Sequence, residues 1–549
     1  MCGIAGIFGD LATEGRPQCV ERLKAMARML QHRGPDGFGY YRDARVGLAH
    51  SRLSIIDIEG GGQPIHNEDR SVWISYNGEI FNYRELRAQL EAKGHRFYTA
   101  TDTEVIVHAY EEYGHACLDR LNGQFAFAIW DTKKRELFLA RDRVGIRPLF
   151  YTNVGDSLVF ASEIKALFVN PEVPREIDIR GMQQALTFWA TIPPRTAFEG
   201  IHELLPGHFM VVRKGHCETR RYWDVDFDDV DYSRNRHEYA DEFRELLIDA
   251  TRLRLRADVP VGAYLSGGID SSAIAAIIRN HTETPLRTFS VTFADAEYDE
   301  SSHQASMVDF LKTEHSTIHC GPGTIGAVFP DVIWHTEKPL VRTAPAPLFL
   351  LSRLVKDNGY KVVLTGEGAD EILAGYDIFK EDKIRRFLAR DPDSAMRPLI
   401  LRRLYPYLEN SPTRSLEYAR RFFDSTNSVY DRRFRSHVPR WDLTSKTQFF
   451  FADAVKSALA DYDSRDELDS LVPRAISGLD PLSRAQVVEI KTLLSGYLLC
   501  SQGDRMSMAH SDEGRFPFLD HRVIAYCAKV PARIRMPALR EKDVLKRSM

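Results

Sequence analysis

Three short stretches of this chain carry residues whose types and spacing could do chemistry. The first is Cys2, which follows Met1 in Met1-Cys2-Gly3-Ile4-Ala5-Gly6. Removal of Met1 bares the α-amine of Cys2, whose ordinary pKa of about 7.7–8.0 leaves part of it neutral at pH 7. A neutral amine on the same residue can take the thiol proton, which is the logic of an N-terminal nucleophile. For one cysteine alone, an inert buried thiol is the plainer alternative. The second stretch is Leu265-Ser266-Gly267-Gly268-Ile269-Asp270-Ser271-Ser272, set between an apolar run and an unbroken helical one. Its glycines let a ligand approach the backbone, and its N–H groups together with a helix N-terminus make an anion site. A kinase-type phosphate loop would need a lysine before the serine, and none is there. The third is Thr365-Gly366-Glu367-Gly368-Ala369-Asp370-Glu371, three carboxylates within five residues at the end of a buried strand. Acids at the mouth of a parallel strand bind Mg²⁺ or handle protons, although they would also suit a plain helix N-terminus.

The elements that must hold these groups are legible in outline. Ile4 and Gly6 alternate with Ala5 and Ile7, which predicts a short buried strand carrying Cys2 at its start. His32-Arg33-Gly34-Pro35-Asp36-Gly37 is turn chemistry around a basic residue, and residues 48–57 form an alternating strand that carries Arg52. Asn77-Gly78 reads as a turn between a strand at 72–76 and a helix at 83–93. Thr101-Asp102-Thr103-Glu104 has the pattern of a helix N-cap. Residues 123–130 and 137–142 read as two apolar strands of one sheet, with Arg141, Asp142 and Arg143 in structural ion pairs. The run at 224–231, rich in Asp, reads as a polar linker. Beyond it, strands at 286–293 and 361–364, separated by helices, predict a parallel, doubly wound sheet with ligands at the strand C-terminal ends.

Composition excludes several other classes. The chain has 549 residues, 44% hydrophobic and 27% charged, which suits a multidomain globular protein and excludes disordered, collagen-like and coiled-coil readings. With 73 Lys and Arg against 77 Asp and Glu, the net charge of −4 gives no global case for nucleic-acid binding. No apolar run approaches the roughly 18–20 residues of a membrane span. Seven scattered cysteines form neither a disulfide framework nor a metal-spaced set, so the expected location is cytoplasmic.

In order along the chain, Cys2-Gly3-Ile4, H-R-G-P-D, S-R-L-S-I-I-D, Y-N-G-E-I and T-D-T-E resemble class II glutamine amidotransferases. S-G-G-I-D-S-S resembles the pyrophosphate loop of ATP pyrophosphatases. T-G-E-G-A-D-E resembles the synthetase domain of asparagine synthetases, with Thr365 in place of the usual serine. The chain thus resembles the glutamine-hydrolysing asparagine synthetase family over nearly its whole length. The resemblance implies an N-terminal Ntn-type αββα sandwich, mixed α+β, at 1–220. A linker at 221–231 and an α/β ATP-pyrophosphatase domain with helical insertions at 232–549 complete it. It implies that Cys2 is the nucleophile and that Arg52 holds the glutamine carboxylate. Asp102, with Glu79 alongside, takes the α-ammonium, while Asn77 and Gly78 form the oxyanion hole. For ATP it implies the loop Ser266, Gly267, Gly268, Asp270, Ser271 and Ser272 with Thr365, and Leu265, Val291 and Gly366 against the adenosine. Asp270 and Asp370 would hold Mg²⁺, and Glu367 would relieve ammonia of a proton.

The implied reaction joins ammonia from glutamine to an adenylated carboxylate, aspartate by default, giving AMP and pyrophosphate. A different carboxylic acid, or a non-catalytic regulatory or scaffold role, are the alternatives. Amination of a sugar phosphate is disfavoured by S-G-G-I-D-S-S. The implied partners are these small molecules, with no nucleic acid and no membrane; a homodimer is left open. The sequence stops at Met549, soon after Lys542, Lys546 and Arg547, where family members run on. Truncation at the C-terminus is therefore expected, and the late lysine that reaches the pyrophosphate is left unassigned. Gln502 stands where many members carry lysine. The arginine-rich stretch from Arg385 to Arg440 is read as a solvated helical face.

Overall fold

Strand register explains how Cys2 comes to sit at the heart of the N-terminal half. The computed structural model describes residues 2–13, 16–295, 299–405 and 433–549. Met1, Glu297, Tyr298 and the 406–432 part of the arginine-rich stretch lie outside the described residues. The first strands in chain order are β1 (Gly3–Phe8), β2 (Gly37–Arg42), β3 (Val46–Arg52), β4 (Ile65–His66), β5 (Val72–Ile80) and β6 (Gly123–Asp131). There follow β7 (Glu136–Arg141), β8 (Phe150–Val154), β9 (Ser157–Ala161), β10 (His202–Glu203), β11 (His208–Arg213) and β12 (His216–Arg221). They form two six-stranded antiparallel sheets, ordered β10-β8-β9-β1-β3-β2 and β12-β11-β7-β6-β5-β4. Ile4 and Phe8 point into the apolar layer between the sheets, with Leu48, Trp130, Leu139 and Phe160. Ala5 and Ile7 point the other way, onto the helix Arg16–Met29. Gly6 allows the close approach of Phe160: a Cβ there would lie 2.3 Å from its ring. The helices Tyr83–Ala92 and Asp102–Tyr113 cover the outer face of the second sheet, completing the expected αββα sandwich.

The remaining strands, β13 (Val261–Tyr264), β14 (Arg287–Phe293), β15 (Glu314–Cys320), β16 (Val362–Leu364) and β17 (Glu513–Arg515), form a parallel sheet ordered β15-β14-β13-β16-β17. The winding direction reverses between β13 and β16, and such a switch point opens a crevice at the strand C-terminal ends. The S-G-G loop leaves β13 and the T-G-E-G loop leaves β16, so both motifs emerge at that crevice. No helix among the described residues is long and apolar enough to cross a membrane.

Two local expectations fail. Asn77-Gly78 is not a turn: β5 runs on to Ile80, pairing Asn77 with Ala126 and Gly78 with Phe125. Ladder pairing overrides the turn preference here, and Gly78 is needed because a Cβ would lie 2.1 Å from the Gln124 carbonyl oxygen. The solvated-face reading of the arginine-rich stretch fails at several of the described positions, although Arg390, Arg402 and Arg403 are exposed as it expects. Arg385 and Arg433 are buried, and Arg440 makes paired hydrogen bonds to the buried Glu489 at 3.0 and 2.6 Å. Arg141 and Asp142 are structural, as expected. Arg141 binds Glu203 and the Leu204 carbonyl, and Asp142 accepts from the backbone N–H groups of Gly145, Ile146 and Arg147.

The two halves meet across a buried charge network. Asp504 accepts from Arg33 at 2.8 and 3.0 Å and from Arg147 at 3.0 Å. Glu163 pairs with Arg33 at 2.8 Å and Arg505 at 3.1 Å, and also with Lys165. Arg505 reaches Glu337 at 3.1 Å. Burial would raise the Asp504 and Glu163 carboxyl pKa values, but the surrounding cations outweigh it and hold both below the ordinary range. Their contribution to stability is therefore full above the unfolded carboxylate pKa of about 4, and is lost as pH falls through the lower folded values. Asp504→Asn leaves two buried arginines short of charge and should cost about 3–5 kcal/mol, seen by calorimetry as a lowered Tm. An unchanged Tm would show that this pairing does not hold the halves together.

Candidate functional site

Cys2 lies at the start of β1, 6% exposed, with its backbone N–H donating to Asn77 Oδ1 at 3.0 Å. Arg33 Nε donates to the Cys2 carbonyl at 3.1 Å, so one guanidinium ties the backbone of Cys2 to Asp504. Burial pushes the Cys2 thiol above its ordinary value. Asn77 Nδ2 is buried and has no hydrogen-bond partner, a donor left free beside the cysteine. The fold thus brings Asn77 and Cys2 together across 75 residues.

The acidic residues gather on the same side. Tyr76 Oη and the Ile80 N–H both donate to Asp102 Oδ2 at 2.9 Å. The Thr101 side chain accepts from the Glu104 N–H, the N-cap read from the sequence. Burial pushes the Asp102 carboxyl up to about 6. Glu79 is buried 3.1 Å from Arg515, and burial followed by repulsion from Asp102 puts its carboxyl well above the usual range. Glu513 sits close enough to add to both effects. This pocket therefore lacks positive charge, a deficit that a ligand's ammonium group would make good. Arg52 spends its guanidinium on the carbonyls of Ile58 at 2.8 Å and Asp57 at 2.5 Å. A Cβ on Gly61 would touch both Arg52 and Thr101, which seats Arg52 against the start of the helix that carries Asp102.

The second site is a cavity of about 1030 Å³ at the β13/β16 switch point. Leu265, Ser266, Asp270, Ser271, Val291, Thr365, Gly366, Glu367 and Asp370 all line it, as nine of the sequence-derived positions should. Gly267 and Gly268 belong to the same loop and Ser272 to the first turn of the helix Ile269–His281 that follows it; none of the three lines the cavity wall. Gly267 has φ +84°, and its Cβ would press on His303, so only glycine fits. Ser266 and Ser271 hydroxyls bond at 3.0 Å, and Ser271 Oγ accepts from the Ser266 N–H at 3.1 Å, tightening the loop. A Cβ on Gly366 would come 2.8 Å from that of Asp270, so the two loops pack directly together. Thr365 Oγ1 accepts from the Glu367 N–H at 3.3 Å, a bond the usual serine could also make.

Lys542, one of the late basic residues left unassigned in the sequence, lies against two acids of the cavity wall. Its Nζ lies 2.5 Å from Asp270 and 2.7 Å from Asp370. Gly375 makes room: a Cβ there would be 1.9 Å from Asp370 Oδ1 and 2.2 Å from Lys542 Cε. Burial followed by the nearby Asp370 and Asp270 pushes Glu367 up to about 7, and burial pushes Asp270 up to about 6. Arg342 also lines the cavity, held over the rings of Trp189 and Tyr497 and bonded to the Tyr497 hydroxyl at 3.0 Å. Lys542 and Arg342 have no local signature; only the fold brings them here.

The two sites share one strand. The side chain of Arg515 meets Glu79 in the first site, while its carbonyl oxygen accepts from the Thr365 N–H of the second at 3.0 Å.

Comparison with known proteins matches residues 1–223 to a glutamine amidotransferase domain and residues 242–549 to asparagine synthase. A glutamine-hydrolysing asparagine synthetase of Bacillus subtilis, numbered 1, is 34% identical over 97% of this chain and 81% of its own length. A second from the same organism, numbered 3, is 31% identical over 100% of this chain and 84% of its own. The amidase chry2 of Gibberella zeae is 30% identical over 100% of this chain and 86% of its own.

Proposed function

The chain belongs to the glutamine-hydrolysing asparagine synthetase family, and on that premise we propose how its residues divide the work and that aspartate is the acceptor. Cys2, its amine freed by loss of Met1, attacks the glutamine carboxamide and forms a thioester as ammonia leaves. Asn77 Nδ2 and the Gly78 N–H donate to the oxyanion; a donor of this kind contributes about 2.7–4 kcal/mol to the transition state. Arg52 holds the glutamine carboxylate, and Asp102 and Glu79 take the α-ammonium that their pocket lacks. The observation that carries this reading is the unpartnered Asn77 amide beside Cys2.

Ammonia then moves through the buried contact between the halves, where it is kept from becoming ammonium in bulk water. In the second site the loop N–H groups and serine hydroxyls bind the ATP phosphates, with the adenosine against Leu265, Val291 and Gly366. Asp270 and Asp370 offer the carboxylate oxygens that a hard cation such as Mg²⁺ prefers, so the donor set fits that ion. When bound there, Mg²⁺ would neutralise charge on the triphosphate. The acceptor carboxylate attacks the α-phosphate, Lys542 steadies the departing pyrophosphate, and Arg342 faces the acceptor. Glu367, poised at about 7, accepts the proton as ammonia displaces AMP. We further propose two catalytic units, at 1–220 and 232–549, in a cytoplasmic enzyme. The amidase-named relative supports a second reading, the same machinery acting on another carboxylic acid. Pyrophosphate release with aspartate against a panel of acids decides between them.

Cys2→Ala should abolish glutamine-dependent synthesis and leave ammonia-dependent synthesis intact; failure of ammonium to restore it would break the two-site scheme. Glu367→Gln should stop amide formation while glutamine hydrolysis continues. Plotted against free ammonia, the wild-type rate should fall as pH drops below about 7, because Glu367 then keeps its proton. Gly375→Ala should displace Lys542 from Asp370 and slow pyrophosphate release about 100-fold, with glutamine hydrolysis unchanged. Normal release in this variant would remove Lys542 from the mechanism.

A further inference from the structure

Away from both sites, Glu68, His95, His108 and Glu111 converge on one point, each offering one ligand atom within 4.8 Å of the others. They come from three separate places: the connection after β4, the turn after helix Tyr83–Ala92, and the helix Asp102–Tyr113. His108 Nδ1 lies 2.8 Å from Glu111 Oε2 and 3.8 Å from Glu68 Oε2, and His95 Nδ1 lies 3.7 Å from the same Glu111 oxygen. Both imidazoles therefore turn the same nitrogen toward the centre.

Further groups stand behind these side chains, hydrogen-bonded to both carboxylates and close to the outward imidazole nitrogens. His108 Nε2 faces Glu104 at 3.5 Å, and His95 Nε2 faces Glu112 at 3.5 Å. Glu68 Oε1 accepts from the Arg96 N–H at 2.9 Å, and Glu111 Oε1 from Asn67 Nδ2 at 2.7 Å. Asn67 is itself buried and locked, its Oδ1 accepting from the Ser71 and Val72 N–H groups. Glu104 is anchored by the N–H groups of Tyr98 and Thr99. His108 Nδ1 donates to the Glu111 carboxylate, and a metal ion would displace that proton; a carboxylate on the far side of each imidazole is the usual support of a metal-bound histidine.

We propose that these four side chains form a structural site for a divalent cation of the zinc class. Two imidazole nitrogens and two carboxylate oxygens suit Zn²⁺ better than Mg²⁺ or Ca²⁺, which favour all-oxygen sets. Bonds of about 2.0–2.2 Å arranged as a tetrahedron need ligand atoms about 3.4 Å apart, a value that the spacings here bracket. The ion would staple the edge connection and the turn to the helix whose first residue is Asp102. A second cluster, His32, Glu163 and His335, has no such prospect, because Arg33, Lys165 and Arg505 already crowd Glu163 with positive charge.

The test uses the full chain stripped with chelator, then titrated with ZnCl₂ or CoCl₂ alone. The expected result is one tightly bound equivalent, a higher Tm with zinc, and the visible absorption of a four-coordinate Co²⁺ complex. His95→Gln and Glu68→Gln, which alter partly or well exposed side chains, should each weaken binding by about 100-fold or more. They should also abolish the zinc-dependent rise in Tm, while His335→Gln keeps both. Zinc bound no more tightly by wild type than by His95→Gln, or a site lost in His335→Gln instead, overturns the proposal. So does a Co²⁺ spectrum that stays that of the hydrated ion, which would leave the cluster as ion-paired imidazolium only.

Discussion

The buried carboxylate of Asp504 is the interaction on which the rest of this structure turns. It satisfies Arg33 and Arg147 at once, two buried guanidiniums from the N-terminal half, of which Arg33 has Glu163 as a further acidic partner. Arg33 also holds the carbonyl of Cys2, so the strand bearing the thiol is registered against the other half of the molecule. Breaking a buried pair of this kind costs far more than a surface pair, because the stranded charge cannot return to water. The two halves are consequently not two beads on a string. Their apolar core is continuous as well, running from Val105 and Phe127 through Tyr239 and Val261 to Leu364.

Both sites show the same electrostatic habit. Each gathers more carboxylates than its own cations neutralise, and burial raises several of them: Glu79 and Asp102 in one, Glu367 and Asp270 in the other. A group held near its protonation point stores an unmet demand for positive charge. In the proposed mechanism the ligand answers that demand, as an α-ammonium in the first site and as a cation accompanying the triphosphate in the second. Binding then changes the proton affinity of the side chains that do the chemistry.

The motifs proposed for chemistry were legible in the sequence because each is local: Cys2 at the head of a strand, and two strand ends followed by loops of small residues. The parallel sheet followed from helix-separated strands, whereas alternation gave single strands of the N-terminal half and their assembly into a sandwich came only from the resemblance. Asn77-Gly78 misled because a turn preference is a property of two residues, whereas pairing with Ala126 and Phe125 belongs to the sheet. Arg385, Arg433 and Arg440 misled for a related reason: a run of arginines looks solvated until distant acids such as Glu489 and Asp469 are seen beside them. Arg342 was invisible because nothing near it in sequence marks it, and Lys542 could not be told from Lys546 and Arg547 by sequence alone. The metal cluster likewise unites positions from 68 to 111 that no spacing rule connects.

The position of Lys542 also bears on the order in which the molecule becomes itself. Its partner Asp270 precedes it by 272 residues, and Gly375 leaves just enough room for its side chain to dock. Until that docking, Asp270 and Asp370 face each other with no counter-charge from the chain. On a ribosome the second cavity would thus gain this counter-charge only after the N-terminal sandwich had its sheets. A nascent molecule could hold a formed thiol pocket while Asp270 and Asp370 still repelled one another.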